Sequence, residues 1–198
     1  MMRKWISGVV AVVALAVGAG RADAGLIPYQ VSVTPEAGMY RFTYAITLPT
    51  NAVLRPGDYF TIYNFDGYIP GSAVADGSPY SADFSFSTSN SGPIPTGVLP
   101  DDNPLIPNLT WTYTGPVIDI SADIGLGNFW AVSPYPDTTS SWFTATTGTA
   151  TGSTDANITP TEVPVPTAPP PGVPEPTTLL LAGLGLPLVA VFRRRQIV

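Results

Sequence analysis

The chain contains no cysteine and no histidine, and its single lysine is Lys4 near the amino end. Without cysteine there is no disulfide, no thiol nucleophile and no lipid-modified N-terminal cysteine. Without histidine there is no imidazole base, no Ser-His-Asp triad and no ordinary zinc site. Without a second lysine a Schiff base or a Ser-Lys pair is missing from the rest of the chain, so only carboxylates remain for general acid and base catalysis.

Charge of either sign is scarce as well. Charged residues make up 11% of the 198 residues, against about 25% in a typical globular protein. Basic residues are nearly confined to the two ends, because only Arg41 and Arg55 lie between Gly25 and Gly172. Those two arginines accompany twelve acidic residues, so the net charge of that stretch is −10. A surface this acidic repels phosphate backbones, which argues against nucleic acid as a partner.

The amino end has the three parts of a secretory signal peptide. Two basic residues precede an apolar segment, 6–19, that is too short for a typical membrane-spanning helix. An Ala-Asp-Ala cleavage site follows, in which signal peptidase would read Ala22 and Ala24. We therefore expect residues 1–24 to be removed by a cut after Ala24. An uncleaved membrane anchor is the alternative.

The carboxyl end carries an uncharged segment, 177–192, followed by three arginines. As a helix this segment would be about 24 Å long, which is short for a hydrocarbon core of ~30 Å. Arg193, Arg194 and Arg195 would hold this end in the cytoplasm by the positive-inside rule. The basic residues at the start do the same, so everything between the two ends is expected outside. A buried core helix is the alternative, and the basic end argues against it.

Between the ends, hydrophobic residues recur with a period of two, which is typical of antiparallel strands with one buried face. In 39–47, the aromatic and aliphatic residues at 40, 42, 44 and 46 alternate with Arg41 and small or polar residues. The segments 80–88 and 108–114 show the same alternation, whereas 58–65 is apolar on both faces, as a central strand would be. Weaker strand candidates are 31–34, 117–122, 128–132 and 142–146.

About eight short strands separated by glycine, proline and aspartate turns predict an all-β fold, an antiparallel β-sandwich of immunoglobulin-like or jelly-roll type, over residues 25–147. Residues 87–107 interrupt the strands with a polar, proline-rich stretch that predicts a surface loop. Residues 148–172 are rich in threonine and proline, which predicts a semi-rigid polyproline II linker.

The last segment, 173–198, resembles the PEP-CTERM sorting domain of exopolysaccharide-producing Gram-negative and related bacteria. The resemblance rests on the apolar segment, on the arginine cluster and on the motif before them, Val173-Pro174-Glu175-Pro176. It implies that exosortase, an integral membrane protein, reads the motif and cuts near it. The apolar helix would then hold the substrate in the membrane only transiently. A sortase signal is not supported because no Leu-Pro-x-Thr-Gly is present, and a GPI signal would end on its apolar tail.

The β domain itself offers candidates for three kinds of chemistry, each with a plainer reading. Carboxylate catalysis of the glycosidase type could use Asp58, Asp66, Asp119 and Asp123. Calcium ligands could come from Asn64, Asp66, Asp101, Asp102 and Asn103. Both sets are more simply turn residues. Stacking on polysaccharide rings could use Trp111, Trp130, Tyr135 and Trp142, and Trp111 is the one we expect in the core.

Together these features predict an exported bacterial protein of the cell surface or extracellular matrix with a transient inner-membrane stage. We expect a structural or adhesive role, with no catalytic, cofactor-binding or metal-binding residues. The expected partners are signal peptidase, exosortase, the membrane and exopolysaccharide. A carbohydrate-binding module is the first alternative and an aspartate-dependent hydrolase the second.

Overall fold

A computed structural model describes residues 25–167, which form eleven β-strands and one turn of 3-10 helix, Ser81–Asp83. No α-helix occurs in this range. The strands are β1 (Ile27–Glu36), β2 (Met39–Leu48), β3 (Ala52–Leu54), β4 (Tyr59–Ile62), β5 (Val74–Asp76), β6 (Phe84–Ser89), β7 (Asn108–Tyr113), β8 (Ile118–Asp119), β9 (Ile124–Ser133), β10 (Asp137–Thr149) and β11 (Thr154–Val165).

The strands form two antiparallel sheets that pack face to face, which confirms the predicted all-β sandwich. The smaller sheet has the order β1-β2-β9-β5. The larger sheet has the order β6-β7-β4-β10-β3-β8, and β11 pairs with β10 on its other side. The choice between immunoglobulin-like and jelly-roll types stays a prediction.

The period-two pattern of β2 produces the expected division of its side chains. Phe42, Tyr44 and Ile46 are buried, whereas Arg41 and Thr43 point away from the core. β4 lies between β7 and β10 in the larger sheet, as its apolar character on both faces predicts. The strand is shorter than its sequence signal, because Asn64 takes a left-handed conformation (φ 58°) and the chain leaves the sheet there.

The core is built around aromatic side chains from both sheets. Phe60 on β4 stacks on Trp111 of β7 and Phe143 of β10, with ring centroids 5.3 and 5.4 Å apart. From the opposite sheet, Phe129 meets Phe60 edge to face at 4.9 Å. Pairs in these geometries add about 0.5–1.5 kcal/mol each to the gain from burial. These contacts let the sandwich close without a disulfide.

The predicted boundary at residue 147 is wrong. β10 continues to Thr149, and β11 then pairs with it without interruption from Gly148↔Thr154 to Asp137↔Val165. Residues 154–165 therefore belong to the sandwich and are not a polyproline II linker. The side chains of Thr161 and Val163 face the core and are 5% and 0% exposed.

Smaller differences concern the edges of strands. The segment 80–88 begins as the 3-10 turn and becomes a strand only at Phe84. Two strands of three residues, β3 and β5, had no period-two signal because each is too short to show one. The proline-rich stretch predicted as a surface loop is an irregular connection between β6 and β7, residues 90–107.

Candidate functional site

The predicted processing residues lie outside the part of the chain that the structure describes. They are Ala22 and Ala24 of the signal peptidase site, Val173, Pro174, Glu175 and Pro176 of the sorting motif, and the cluster Arg193, Arg194 and Arg195. Within residues 25–167, no helix is long and apolar enough to cross a membrane.

Asp58, a candidate for carboxylate catalysis, is half-buried in the turn between β3 and β4. Its Oδ2 accepts the backbone N–H groups of Arg55 at 2.7 Å and of Gly148 at 3.3 Å. Burial raises the pKa of Asp58, and the two N–H donors act in the opposite direction. The carboxylate thus ties the turn after β3 to the β10–β11 hairpin.

Asp123 is exposed at the start of β9 and holds the β2–β3 turn. Its Oδ1 accepts the backbone N–H and the side-chain hydroxyl of Thr50, at 2.6 and 2.8 Å. These hydrogen bonds lower the pKa of Asp123. Asp119 is exposed opposite Val53 on an edge strand. The described residues contain no group of three or more acidic side chains that could hold a metal ion.

Four of the five candidate calcium ligands come together, but as a hydrogen-bond network. Asn64 donates from Nδ2 to the carbonyl of Asp101 at 2.9 Å, and its Oδ1 accepts the N–H of Asn103 at 2.8 Å. The two carboxylate oxygens of Asp102 accept from Asn108 Nδ2 at 2.8 Å and from Gly92 N at 3.1 Å. The side-chain oxygens of Asn64 and Asp102 are thus engaged by N–H groups, and the network fastens the 90–107 loop to the chain after β4.

The four candidate stacking residues are dispersed. Trp111 is 1% exposed in the core, as predicted. Trp130 is half-buried on the outer face of the smaller sheet, where the Arg41 guanidinium lies 4.9 Å from its ring. Tyr135 is half-buried after β9. Trp142, also half-buried, points to the outer face of the larger sheet, because Phe143 beside it points into the core.

The outer face of the larger sheet is rich in hydroxyl groups. Thr61 on β4 lies between Thr110 of β7 and Thr144 of β10, and the row continues to Ser87 and Ile158. The hydroxyls of Thr61 and Thr110 are 2.9 Å apart. The adjoining positions on this face of β4 are tyrosines, Tyr59 and Tyr63, so aromatic rings and hydroxyls share one surface.

The 90–107 loop covers part of this face and is held there from beneath. Tyr63 donates its hydroxyl hydrogen to the carbonyl of Pro93 at 2.7 Å. Burial raises the pKa of Tyr63 to about 12. Gly92 lies against the ring, because a Cβ at this position would be 2.8 Å from Tyr63 Cε1. The loop is therefore fixed to the sheet at both Tyr63 and Asp102.

A cleft of about 1010 Å³ remains between this loop and the sheet. One wall is 94–98 of the loop, and the remaining surface comes from Tyr59, Thr146, the strand segment 154–159 and Ile27. Small-molecule sites usually enclose about 300–1,000 Å³ and combine apolar surface with a few polar groups. The cleft has that size and mixed character, with an aromatic ring and threonine hydroxyls accessible from solvent.

Sequence reasoning did not single out Tyr59 or β11 as parts of a site. Tyr59 belongs to a segment that is apolar on both faces, so nothing local distinguishes its outward side from its inward side. The prolines of β11 predict a linker when the sequence is read alone. A signal was present in the alternation of residues 157, 159, 161 and 163, but Asn, Thr, Thr and Val make a weak hydrophobic stripe.

Comparison with known proteins identifies the carboxyl end. A family model of the PEP-CTERM protein-sorting motif matches residues 172–196. This match confirms the resemblance carried by the Pro-Glu-Pro motif, the apolar segment and the arginines. A search of curated proteins finds no match.

Proposed function

We propose that this protein with a PEP-CTERM sorting motif is exported to the bacterial cell surface or extracellular matrix, where its β-sandwich has a structural or adhesive, non-catalytic role. The motif implies export to the cell envelope and processing by exosortase. The basic residues at both ends support the same orientation, with the sandwich outside the membrane. Signal peptidase would release the amino end after Ala24.

The length of chain between the sandwich and the motif supports processing close to the folded domain. β11 ends at Val165 and the motif begins at Val173, so seven residues separate them. Seven fully extended residues reach at most about 25 Å. Four of these seven residues, 166–172, are prolines, which favour an extended chain. The sandwich would therefore lie close to the membrane surface until exosortase cuts.

The mass of the intact protein recovered from cells tests both processing steps. We expect the loss of residues 1–24 and of the segment after about Glu175. A Pro174→Ala, Glu175→Gln, Pro176→Ala variant should keep residues 179–198 while still losing the signal peptide. A wild-type protein that retains 179–198 would have a lasting anchor and would contradict processing at the motif.

A second candidate function is binding of an exopolysaccharide, and the cleft beside Tyr59 favours it. Sugar rings stack on aromatic faces, and their hydroxyls pair with protein hydroxyl and amide groups. The cleft offers Tyr59, Thr146 and Thr154 for such contacts. The loop that forms one wall is hydrogen-bonded to the sheet at Pro93 and Asp102, on either side of 94–98, which lowers the cost of ordering it on binding.

Pull-down with polysaccharide from the host's matrix tests this candidate. Tyr59→Ala should weaken retention about tenfold or more, which corresponds to about 1.4 kcal/mol. Tyr29→Ala is the matched control, because Tyr29 is 79% exposed and does not line the cleft. Equal retention of the wild type and Tyr59→Ala would exclude the cleft as a glycan site, and the structural role would remain.

A further inference from the structure

The first two residues after the predicted signal-peptidase cut are buried in the sandwich. Gly25 is buried, and Leu26 is 0% exposed and belongs to the hydrophobic core. Strand β1 begins directly afterwards at Ile27. The start of the mature domain, Gly25 and Leu26, therefore has a defined buried position, called its seat below, which lies against β11.

Asn157 on β11 forms that seat. Its Nδ2 donates to the carbonyl of Leu26 at 2.8 Å. Since a carbonyl only accepts, this contact fixes which end of the amide is nitrogen, and Oδ1 must be the other end. Oδ1 is buried and has no hydrogen-bond partner among residues 25–167, and Asn157 as a whole is only 8% exposed.

The unpaired oxygen lies against Gly25. A Cβ placed on Gly25 would be 2.5 Å from Asn157 Oδ1 and 2.6 Å from its Cγ. The backbone nitrogen of Gly25 is bonded to the Cα that would carry this Cβ, so a group on that nitrogen lies in the same neighbourhood as Oδ1. A buried acceptor without a donor costs about 1–3 kcal/mol, so a donor supplied from Gly25 would remove an existing penalty.

We propose that signal-peptide removal creates the missing donor: the α-ammonium group of Gly25 binds Asn157 Oδ1 and locks the mature amino terminus onto β11. This inference rests on the proposed export and on the cut after Ala24. It adds a docking site for the new terminus, so that maturation completes the sandwich.

The chemistry of the cut supplies what the uncut chain lacks. Hydrolysis breaks the Ala24–Gly25 C–N bond, and water leaves a carboxylate on Ala24 and an amine on Gly25 that takes up a proton near neutral pH. A peptide N–H is one donor with a direction fixed by the planar bond. An ammonium group has three donors that rotate about the N–Cα bond, and its charge strengthens the hydrogen bond to Oδ1.

Burial also sets the order of events. A peptidase must reach the Ala24–Gly25 bond, but a folded seat for Gly25 and Leu26 keeps that bond close to the sandwich. The cut therefore precedes docking of the amino terminus, and docking follows on the outer side of the membrane. Folding of β1 onto β2 does not require the cut, because that pairing starts at Ile27.

A double-mutant cycle on the exported full-length protein tests the docking. One change inserts an alanine between Ala24 and Gly25, which moves the free amine one residue away and turns the Gly25 nitrogen into an amide. The other change is Asn157→Ala. We expect the insertion to lower Tm by about 4 °C or more in the wild type and to have little effect in Asn157→Ala. Equal losses in both backgrounds would overturn the inference.

Amino-terminal sequencing of each protein separates this result from the proposed export. A wild-type chain starting at Gly25 and a non-additive cycle support the inference. A chain starting at Gly25 with an additive cycle removes the docking site and leaves export intact. A chain that keeps residues 1–24 overturns the inference and the proposed cut after Ala24, because no free amine would exist at Gly25.

The effects of alanine substitution at two glycines, Gly25 and Gly125, give a second, independent test of the contact between Gly25 and Asn157. Gly25→Ala should lower Tm because its Cβ meets Asn157, and the same change should lower Tm less in an Asn157→Gly background. Gly125→Ala is the matched control, since no atom lies within 4 Å of a Cβ there and its backbone is not left-handed. If Gly25→Ala and Gly125→Ala behave alike, Gly25 is not seated on Asn157 and the inference fails.

Discussion

Two proline-containing stretches of this chain have different structures. The stretch 90–107 is an irregular loop, as its composition predicts. The stretch 154–165 is a twelve-residue strand with two prolines, Pro160 and Pro164. Whether such a stretch can form a strand depends more on the position of each proline relative to the hydrogen-bonding partner strand than on the number of prolines.

Backbone direction explains why β11 tolerates its prolines. Trp142 lies opposite Pro160, and the Trp142 carbonyl accepts from Tyr63 on the other side of β10. The backbone of Trp142 therefore points away from β11, and Pro160 has no hydrogen bond to donate across this pair. Pro164 is four residues further on and has the same orientation. Both missing N–H groups fall on the open edge of the sheet, where proline is accepted.

The loop is ordered by a different means. Side chains make its contacts to the sheet and to the chain after β4: Tyr63 and Asn64 donate to backbone carbonyls of the loop, and Asn108 donates to the Asp102 carboxylate. A strand such as β11 is held by repeated backbone pairing along its length. We therefore expect the strand to resist single side-chain changes better than the loop, and to fail when its backbone is changed.

The largest effect should come from removing β11. A chain that ends at Thr147, the boundary expected from sequence, loses every backbone partner on one side of β10 and exposes the core beneath Val163. We expect this chain to be unfolded, and the loss of its near-ultraviolet circular dichroism signal would show it. A chain that ends at Thr167 is the control and should melt cooperatively. Equal cooperativity of the two chains would show that β11 is dispensable.

Adding a proline one residue after Pro160, where the N–H faces β10, should have the next largest effect. In Thr161→Pro the lost N–H belongs to the pair with Ser141, whose backbone points toward β11. We expect a loss of about 3 kcal/mol in the free energy of unfolding, similar to proline in other regular structure. Pro160→Ala is the matched change at the open edge and should alter stability by about 1 kcal/mol or less. Urea unfolding measures both, and the reverse ranking would contradict the assigned edge.

A substitution at Asn108 tests whether side-chain hydrogen bonds hold the 90–107 loop. This buried residue accepts the N–H of Asn64 and donates to Asp102, with both distances 2.8 Å. Asn108→Ala leaves these groups without partners, so we expect a loss of about 1–3 kcal/mol. Asn90→Ala removes an exposed hydrogen bond to Pro104 in the same loop and should cost less than about 0.5 kcal/mol. If thermal melts show equal losses, the network does not fasten the loop.

The smallest effects should appear in the pH dependence of two turn aspartates. Burial raises the pKa of Asp58, so its contribution to stability is greatest below the unfolded pKa and falls as pH rises through the folded value. Hydrogen bonds from Thr50 lower the pKa of Asp123, so its contribution is present above the unfolded pKa and is lost as pH falls through the folded value.

Melting curves of Asp58→Asn and Asp123→Asn between pH 3 and 7 measure this contrast. Relative to the wild type, Asp58→Asn should gain stability as pH rises, whereas Asp123→Asn should lose it. Both substitutions keep a side-chain oxygen as an acceptor, so the comparison reports mainly on charge. If the stability difference from the wild type changes with pH in the same direction for both variants, the assigned environments of Asp58 and Asp123 are contradicted.

Local pattern was sufficient wherever one face of a strand is apolar and the other polar. The alternation around Phe42 and Tyr44 placed β2, and the apolar faces of 58–65 placed β4 at the centre of its sheet. The sorting motif is also local, because its order of Pro-Glu-Pro, apolar segment and arginines can be read without any fold, and the family model agrees.

The tertiary structure decided the features that depend on distant partners. β11 is a strand because β10 supplies its hydrogen bonds, and the inward residues Asn157 and Thr161 carry too little hydrophobicity to reveal that pairing in the sequence. The cleft exists because the loop segment 94–98 lies over residues of four strands, and contacts between residues so far apart along the chain leave no periodic pattern in the sequence. The amino-acid sequence alone was enough to predict which segments alternate and which segment carries the sorting motif. Long-range pairing set where the domain ends and which surface remains open, because the chain neighbours of a strand do not encode its hydrogen-bond partner on another strand.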